Sequence, residues 1–306
     1  FLDRYEPGSY VMPLALRVRG DLDLGALSSA IGHVMARHEI LRTVYADTDG
    51  VVHQVVLPPP APTALTVTAV TPGALAERLS DARTTRFDLA TEPPLRAEVL
   101  RLADDEHVLL LTVHHIAADG LSLAPLTRDL LSAYHSYRSG RVPAQSPLSV
   151  QYADVAVRQR ELGVDSDAAA WWERRLSGLP DVLDMPLDRP RPERPSRASA
   201  EVRLDLDDAT VAALSELASA HRATVFMVMH TALAVALARW TGSTDIAVGS
   251  PISGRPDPAL DDLVGLFVDT VVLRTRVDPS ESIAEVLSRT RDETVDAFAH
   301  AHVPFD

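Results

Sequence analysis

The sequence predicts a mixed α/β (α+β) protein of 306 residues arranged in two lobes. Segments with the apolar spacing of helices alternate with short strand-like segments along the whole chain. The run Val108–Val113 is apolar at nearly every position, which is typical of a short strand covered on both faces. The stretch from Leu179 to Arg197 holds five prolines and interleaved charges, which exclude regular structure there. We therefore predict a first lobe at 1–178, a crossover at 179–199 and a second lobe at 200–306.

The first lobe begins with a strand and a helix. Tyr10–Val18 alternates loosely and is predicted as a strand, and Asp23 is predicted to cap a helix that runs to about Arg37. Two hairpins are predicted from pairs of strand-like runs joined by acidic turns. Their strands are 41–45 with 51–57, and 95–102 with 107–114. A further strand is predicted at 65–70, and further helices at 72–86, 121–137, 150–162 and 167–176.

The second lobe repeats this mixture of helices and strands in a similar order, which indicates that the two lobes share an architecture. Its strands are predicted at 201–205, 245–249 and 267–276, and its helices at 207–221, 224–240 and 281–299. The longest apolar run, Val225–Trp240, is broken by His230, Thr231 and Arg239 and is too short to span a bilayer. It is predicted to be a buried helix.

Composition narrows the possible partners. The formal net charge of −14 argues against nucleic acid or an anionic membrane as the main partner. Cysteine is absent, which excludes disulfides, thiolate metal sites and a cysteine nucleophile. The same absence is compatible with a reducing cytoplasm, where we place the protein, and the first residues have no signal-peptide pattern.

The strongest chemical motif is His114-His115-Ile116-Ala117-Ala118-Asp119-Gly120, which follows the apolar strand and precedes a helix. A rigid strand would hold its last histidine in a fixed orientation. Asp119 stands where it can cap the helix or accept a charged hydrogen bond. Gly120 allows close approach of a backbone and leaves an N–H near the helix N-terminus, where developing negative charge is favoured.

Two adjacent histidines can also form a metal site or simply be satisfied core residues. Neighbouring residues of a strand point to opposite faces, so His114 and His115 cannot easily share one metal ion. Asp119 is the only nearby acidic ligand, and there is no cysteine. We therefore predict no metal at this site.

Five blocks of the chain, in order, resemble blocks of the condensation domains of nonribosomal peptide synthetases. The third block has Val155 where the family has Tyr, the fourth has Asp269 where Asn is usual, and the fifth departs at Ala301-His302. The first two blocks match fully. The five blocks are Arg37-His38-Glu39-Ile40-Leu41-Arg42-Thr43, the His114–Gly120 motif continued by Leu121-Ser122, Tyr152-Ala153-Asp154, Val264–Thr270 and His300–Asp306.

This resemblance implies the fold and the reaction. The implied fold has two chloramphenicol-acetyltransferase-like lobes in a V around a central tunnel, the second lobe being incomplete here. The implied reaction is amide formation, in which the amine of a downstream carrier-bound aminoacyl thioester attacks an upstream carrier-bound thioester. Phosphopantetheine arms of the two carrier proteins would deliver both substrates, an adenylation domain would belong to the same assembly line, and the domain itself would bind no cofactor.

The resemblance also implies roles for individual residues. The catalytic group is expected to comprise His115 with His114, Asp119 and Gly120. Arg255, Ser122 and Arg42 are expected to support the site, with Arg255 forming a buried ion pair to Asp119 that ties the second lobe to the first.

Several alternatives remain open. A coenzyme A-dependent acyltransferase of the same superfamily shares the His-x-x-x-Asp-Gly pattern, and a catalytically silent, partner-recruiting domain shares the fold. Epimerisation domains usually continue the motif as Gly-Val-Ser-Trp, whereas this chain has Gly120-Leu121-Ser122-Leu123. Heterocyclisation domains replace the two histidines. The blocks look most like the subtype that joins two L-residues.

The family pattern extends beyond both ends of this chain, so we expect strands that complete the second lobe to lie outside it. Exposed sheet edges would then destabilise the 306-residue chain. Thermal melts should therefore show a lower melting temperature for this chain than for one extended through the family's last block. Equal melting temperatures would contradict the expectation.

Overall fold

A computed structural model describes residues 10–62, 64–193 and 200–305, and its contacts group the chain into two compact units. The first unit comprises residues 1–163 and 253–268, and the second comprises residues 164–252 and 269–306. Both units mix helices and strands.

The first unit contains a four-stranded sheet in the order β1-β6-β5-β4. β6 pairs antiparallel with β1 and β5, while β4 pairs parallel with β5. In this register Val11 lies opposite His114, and Leu14 lies opposite Leu111. The strands are β1 (Val11–Arg19), β4 (Thr66–Ala69), β5 (Leu95–Ala103) and β6 (Glu106–His114).

The central strand β6 is buried at every position from His107 to His114, as the apolar run predicts. Helices α1 and α3 pack against each other, and their apolar faces share the main core of this unit with β6. Asp23 caps α1 by accepting a hydrogen bond from the Ala26 N–H at 2.9 Å, as predicted. The helices of this unit are α1 (Leu24–Arg37), α2 (Leu75–Ala82), α3 (Leu123–Arg138) and α4 (Tyr152–Leu162).

A short 3₁₀ turn at Glu39–Arg42 connects α1 to a separate two-stranded sheet. This hairpin pairs Thr43 with Val56 and turns at Asp47–Gly50, as the sequence predicts. Its strands are β2 (Thr43–Thr48) and β3 (Val51–Val56).

The described residues of the second unit form four helices and one antiparallel strand pair. Three small clusters of buried apolar side chains form its core, with Trp171 and Trp172 packed against one of them. The elements are α5 (Ser166–Leu176), α6 (Asp208–Ala220), α7 (Val225–Thr241), β7 (Asp245–Ile252), β8 (Asp269–Arg276) and α8 (Ile283–Ala299).

Two predicted elements differ from the structure. The strand predicted at 201–205 is wrong, because residues 200–207 form neither helix nor strand. Val202 and Leu204 alternate as in a strand, but within the described chain no strand pairs with them and their side chains are exposed. The helix predicted at 72–86 forms only over Leu75–Ala82.

The contacts also divide the chain differently from the proline-rich stretch. Helix α5 belongs to the second unit, where Trp172 Nε1 donates to the His300 carbonyl at 2.9 Å. Arg175 contributes a further bond within this unit, from its guanidinium to the Arg274 carbonyl at 2.8 Å. The described part of the proline-rich stretch, residues 179–193, forms no helix or strand, as predicted.

Within the described residues, no helix taken alone has the length and apolar character needed to cross a membrane. Helices α6 and α7 meet that test only as a pair, and they are bent by 99° at the break between them.

A buried charge cluster joins α1 to α3. Asp129, on α3, accepts hydrogen bonds from Arg37 Nε at 2.8 Å and Arg128 Nε at 3.0 Å. His38 Nε2 lies 2.9 Å from the same carboxylate, and both side chains are almost fully buried. Burial alone would raise the pKa of Asp129, but the bonds from His38, Arg37 and Arg128 lower it to about 2. Arg37 and His38 belong to the first matched block, so that block fixes the end of α1.

The cluster should make stability depend on pH. An unfolded aspartate has a pKa of about 3.9, so the lowered pKa of Asp129 stabilises the fold fully above about pH 5 and less as the pH falls towards 2. Asp129→Asn should cost about 3–5 kcal/mol at pH 7, because it leaves the largely buried guanidinium of Arg37 without its carboxylate. The deficit should be about 1 kcal/mol smaller at pH 3.

Urea unfolding at both pH values measures the difference between wild type and variant. Asp262→Asn is the control, because it removes only an exposed partner of Arg128 and should cost less than about 1 kcal/mol. A deficit for Asp129→Asn that does not change with pH would contradict the assignment.

Candidate active site

The site begins where β6 ends. His114 is its last residue, is buried, and packs edge-on against Phe87 with ring centroids 5.9 Å apart. The Nδ1 atom of His114 accepts a hydrogen bond from the Ile116 N–H at 3.1 Å. In the neutral ring the proton therefore sits on Nε2. His114 is therefore buried and fixed in position, directly before His115 in the chain.

His115 starts a single 3₁₀ turn, His115–Ala117, and its side chain is half-buried. Its backbone N–H donates to the Tyr10 carbonyl at 2.7 Å, and its carbonyl accepts from the Ala118 N–H. No hydrogen bond to the ring of His115 is made by the part of the chain that the structure describes. The backbone of His115 is therefore held by hydrogen bonds at both its N–H and its carbonyl.

Asp119 is buried and accepts five hydrogen bonds. Its Oδ1 accepts from the Ser122 N–H and hydroxyl, each at 2.8 Å, and from Arg255 Nη2 at 3.0 Å. Its Oδ2 accepts from the N–H groups of Phe267 at 3.0 Å and Val268 at 3.2 Å. The carboxylate therefore caps the turn before α3 and also forms the expected ion pair.

These bonds keep Asp119 ionised. Burial alone would raise the pKa of Asp119, but the hydrogen bonds from Ser122 and Phe267 and the charge of Arg255 together hold it below its ordinary value. Both lone-pair directions of each oxygen are occupied or nearly so. Asp119 is therefore arranged as an anchor and not as a proton carrier.

Ser122 is fully buried and lies at the centre of this network. Its Oγ accepts from the N–H groups of Gly265 at 3.1 Å and Asp119 at 3.2 Å, and from Arg255 Nη2 at 3.1 Å. Its single proton lies within reach of Asp119 Oδ1 and of the Gly265 carbonyl at 2.9 Å. Ser122 thus joins the motif to the segment that follows Arg255.

Both terminal nitrogens of the Arg255 guanidinium donate hydrogen bonds. Nη1 donates to the carbonyls of Leu260 at 2.8 Å and Leu263 at 3.1 Å, while Nη2 binds Asp119 and Ser122. The guanidinium carbon also lies 4.0 Å from the centre of the Phe267 ring. Arg255 therefore shapes its own loop and presents it to Asp119.

The predicted ion pair exists, but it does not tie two lobes together. Residues 253–268 pack with the first unit, so Asp119 and Arg255 belong to the same compact unit. The expectation that placed Arg255 in the second lobe followed chain order. The contacts of Arg255 with Asp119 and Ser122 instead place its loop in the first unit, although the loop follows the proline-rich stretch in the sequence.

The loop of Arg255 depends on a glycine. Gly254 has φ = +60°, and a Cβ built there would lie 1.7 Å from the Phe267 carbonyl oxygen. Both the backbone conformation and the contact exclude a side chain. Gly120 differs, since it is exposed and a Cβ there would meet nothing within 4 Å. Packing against the described chain therefore does not explain why position 120 is a glycine.

Arg42 lies apart from this network. Its Nε donates to the Met35 carbonyl at 3.1 Å, its Nη1 donates to the Leu57 carbonyl, and its Nη2 pairs with Glu39 at 3.1 Å. Arg42 therefore holds the end of α1 against the hairpin, and its contacts do not reach Asp119.

Sequence reasoning missed two groups of contacts. The backbone N–H groups of Phe267 and Val268 bind Asp119. Nearly every residue carries such a group, so the sequence does not single these two out. Tyr152, in the third matched block, donates its hydroxyl to the Leu266 carbonyl at 3.0 Å. A single sequence could point to them only through the presence of the matched blocks. Among the described residues, no group of three or more His, Asp or Glu side chains is arranged to hold a metal ion.

The site thus consists of a short turn that presents the half-buried His115, followed four residues later by the anchored Asp119. The family model for the condensation domain matches residues 3–306. The chain therefore belongs to the condensation-domain family.

Two curated relatives are large synthetases. The probable non-canonical nonribosomal peptide synthetase CymA of Salinispora arenicola is 44% identical over the whole of this chain, which spans 4% of its length. The isonitrile lipopeptide synthase of Mycobacterium tuberculosis is 43% identical over the whole of this chain, which spans 13% of its length. This chain thus corresponds to a small part of each relative.

Among solved structures, the X-domain from teicoplanin biosynthesis is similar at a TM-score of 0.93 and 35% identity, over 99% of this chain and 69% of that one. The same X-domain in a complex with OxyB gives a TM-score of 0.90, over 97% of this chain and 66% of that one. The condensation-domain fold therefore describes nearly all of this chain.

Breaking the buried pair should destabilise the domain. Asp119→Ala and Arg255→Ala should each cost about 3–5 kcal/mol, because either one leaves a buried charge unpaired. The double variant should cost less than the sum, because the two residues contact each other.

Urea unfolding of the four proteins gives this coupling. Arg17→Ala is the control, since Arg17 pairs with Glu106 at 2.9 Å but is half-exposed and should contribute less than about 1 kcal/mol. Additive losses, or losses no larger than that of the control, would show that the pair does not hold the loop.

Proposed function

We propose that this domain joins two carrier-bound substrates through an amide bond, as part of a nonribosomal peptide synthetase. The observation that carries the proposal is the half-buried ring of His115, which is held on a rigid turn by the buried Asp119 network. The family membership and the two synthetase relatives support it. The donor would be an upstream peptidyl or acyl thioester, and the acceptor would be a downstream aminoacyl thioester.

In the proposed reaction the α-amine of the acceptor attacks the thioester carbonyl carbon. The C–N bond forms, the C–S bond breaks, the ammonium loses a proton, and the thiolate leaves and becomes a thiol. An α-amine has an ordinary pKa of about 7.7–8.0, so a useful fraction is neutral near pH 7. His115 would accept the ammonium proton or hold the amine in place, and a positioned group of this kind is worth about 10²–10⁴ in rate.

The other motif residues would act through His115. His114 would fix the strand end from its buried position, and Asp119 would anchor the turn as a permanent anion. The exposed Gly120, which has open space at its Cβ position, would leave room for a substrate chain beside the turn. No covalent acyl-enzyme is part of the proposal, because the sequence has neither cysteine nor a Gly-x-Ser-x-Gly elbow.

The proposed partners follow from the same reaction. Carrier proteins on the upstream and downstream sides would deliver the substrates on phosphopantetheine arms, and an adenylation domain would load the acceptor. The matched blocks favour the subtype that joins two L-residues. We place this activity in the cytoplasm, with which the absence of cysteine is compatible.

A second candidate is a silent domain that recruits a partner protein. The X-domain from teicoplanin biosynthesis favours it, because that domain forms a complex with OxyB and has the most similar fold among the structures described above. This chain would then bind a protein through its surface, and His115 would not be needed.

His115→Ala should abolish amide formation, because His115 is the one polar side chain of the motif that is not buried. The full chain is mixed with donor and acceptor carriers loaded with their thioesters, and mass spectrometry detects the product on the acceptor arm. His53→Ala, on the exposed strand β3, is the matched control and should keep wild-type activity.

The outcomes separate the two candidates. Product at the wild-type level from His115→Ala would overturn the catalytic proposal. Stable binding of a partner by a wild-type domain that forms no product would favour the recruiting function. Circular dichroism and a melting curve of His115→Ala show whether its fold is intact.

A further inference from the structure

Tyr152 lies next to the site, and its hydroxyl bonds to the segment that holds the motif and not to the motif itself. It is the first residue of α4 and is partly buried. Its hydroxyl donates to the Leu266 carbonyl at 3.0 Å, and its ring meets Phe267 edge-on at a centroid distance of 5.2 Å. The hydroxyl stays protonated near pH 7, because burial and the nearby charge of Asp119 raise the pKa of Tyr152.

The Leu266 carbonyl lies in the middle of the segment that holds the motif. On one side, the Gly265 N–H binds Ser122 at 3.1 Å. On the other side, the Phe267 N–H binds Asp119 at 3.0 Å. A hydrogen bond to the carbonyl between them fixes the peptide plane that carries the Phe267 N–H. The orientation of a donor to Asp119 therefore depends on the Tyr152 hydroxyl.

The ring of Tyr152 is also pressed against this segment. A Cβ at Gly265 would lie 2.4 Å from Tyr152 Cδ2 and 2.7 Å from Phe267 Cε2. Only a glycine leaves space for the ring at this distance. The Phe267 ring also carries the guanidinium of Arg255, whose central carbon lies 4.0 Å from the ring centre. Tyr152, Phe267 and Arg255 thus form one continuous contact that ends at Asp119.

The position of Tyr152 is itself fixed by the residue before it, Gln151. Gln151, which caps α4, donates its side-chain amide to the Arg37 carbonyl at 3.0 Å and accepts from the Glu39 N–H at 3.2 Å. These two partners belong to the first matched block. The rigid end of α1 is therefore connected to the motif through Gln151, Tyr152 and the segment 265–268.

We infer that Tyr152 is a positioning residue for amide formation, which it serves by fixing the Leu266 peptide so that the backbone of 265–268 holds Asp119 and Ser122, and through them the turn of His115. This inference rests on the proposed function for its effect on rate. Its structural part concerns only the turn, so an experiment that does not need catalysis tests it separately.

Tyr152→Phe removes the hydroxyl and keeps the ring. The rate constant for amide formation at saturating carriers should fall about 10-fold to 100-fold, since a small misplacement of a reacting group has an effect of that size. The carrier concentration for half-maximal rate should stay unchanged, because Tyr152 does not contact substrate in this scheme.

Tyr134→Phe is the matched control. The Tyr134 hydroxyl likewise bonds a backbone group, accepting from the Asp23 N–H at 3.1 Å, but it lies on α3 away from the motif. It should change the melting temperature about as much as Tyr152→Phe and leave the rate constant unchanged. A double variant of Tyr152→Phe with Ser122→Ala should lose little more rate than Ser122→Ala alone, because both residues act on the same turn.

Hydrogen–deuterium exchange of the peptide covering 114–123, followed by mass spectrometry on the full chain, is the readout that does not depend on catalysis. Tyr152→Phe should speed exchange in this peptide, and Tyr134→Phe should not. If the wild type forms no amide, the proposed function fails while the exchange result still decides the inference. Unchanged exchange, an unchanged rate constant, or rate losses that add in the double variant would overturn it.

Discussion

The buried carboxylate of Asp119 is the interaction on which the rest of the site depends. An isolated buried charge is very unfavourable, and here five hydrogen bonds, one of them from the guanidinium of Arg255, compensate it. The donors come from the motif itself, from Arg255 and from the backbone of 267–268. Satisfying this one group therefore brings three separate parts of the sequence together, and the turn that presents His115 has little freedom left.

Patterns that depend on local physics were predicted well. The β6 strand was recognised by its apolar run and α1 by its Asp23 cap, because both depend on neighbouring residues. The prediction of a strand at 201–205 was wrong, because a strand needs a second strand to pair with. The alternating side chains of 201–205 do not indicate whether such a strand is present. Residues 253–268 pack with the first unit for a related reason, since contacts of Asp119 with Arg255 and Val268, which lie 136 and 149 residues further along the chain, decide their place.

The candidate site was predicted in part. The contacts of Asp119 with Arg255 and Ser122 agree with the resemblance to condensation domains, while Arg42 holds a different region. The N–H donors of Phe267 and Val268 and the carbonyl of Leu266 were not predicted, because every residue carries these groups. Gly254 and Gly265 stand where that backbone packs closely, but a glycine alone does not tell what lies against it.

The contact grouping has a consequence for recombining synthetases. The chain passes between the two units at 163–164, 252–253 and 268–269, so one exchange point cannot separate them. A hybrid joined within the proline-rich stretch would take Asp119 from one parent and the segment with Arg255 from the other. In such a chimera, the two residues of the Asp119–Arg255 ion pair come from different parents. The turn that presents His115 is kept only if the second parent supplies Gly254, Arg255 and the same backbone path at 265–268.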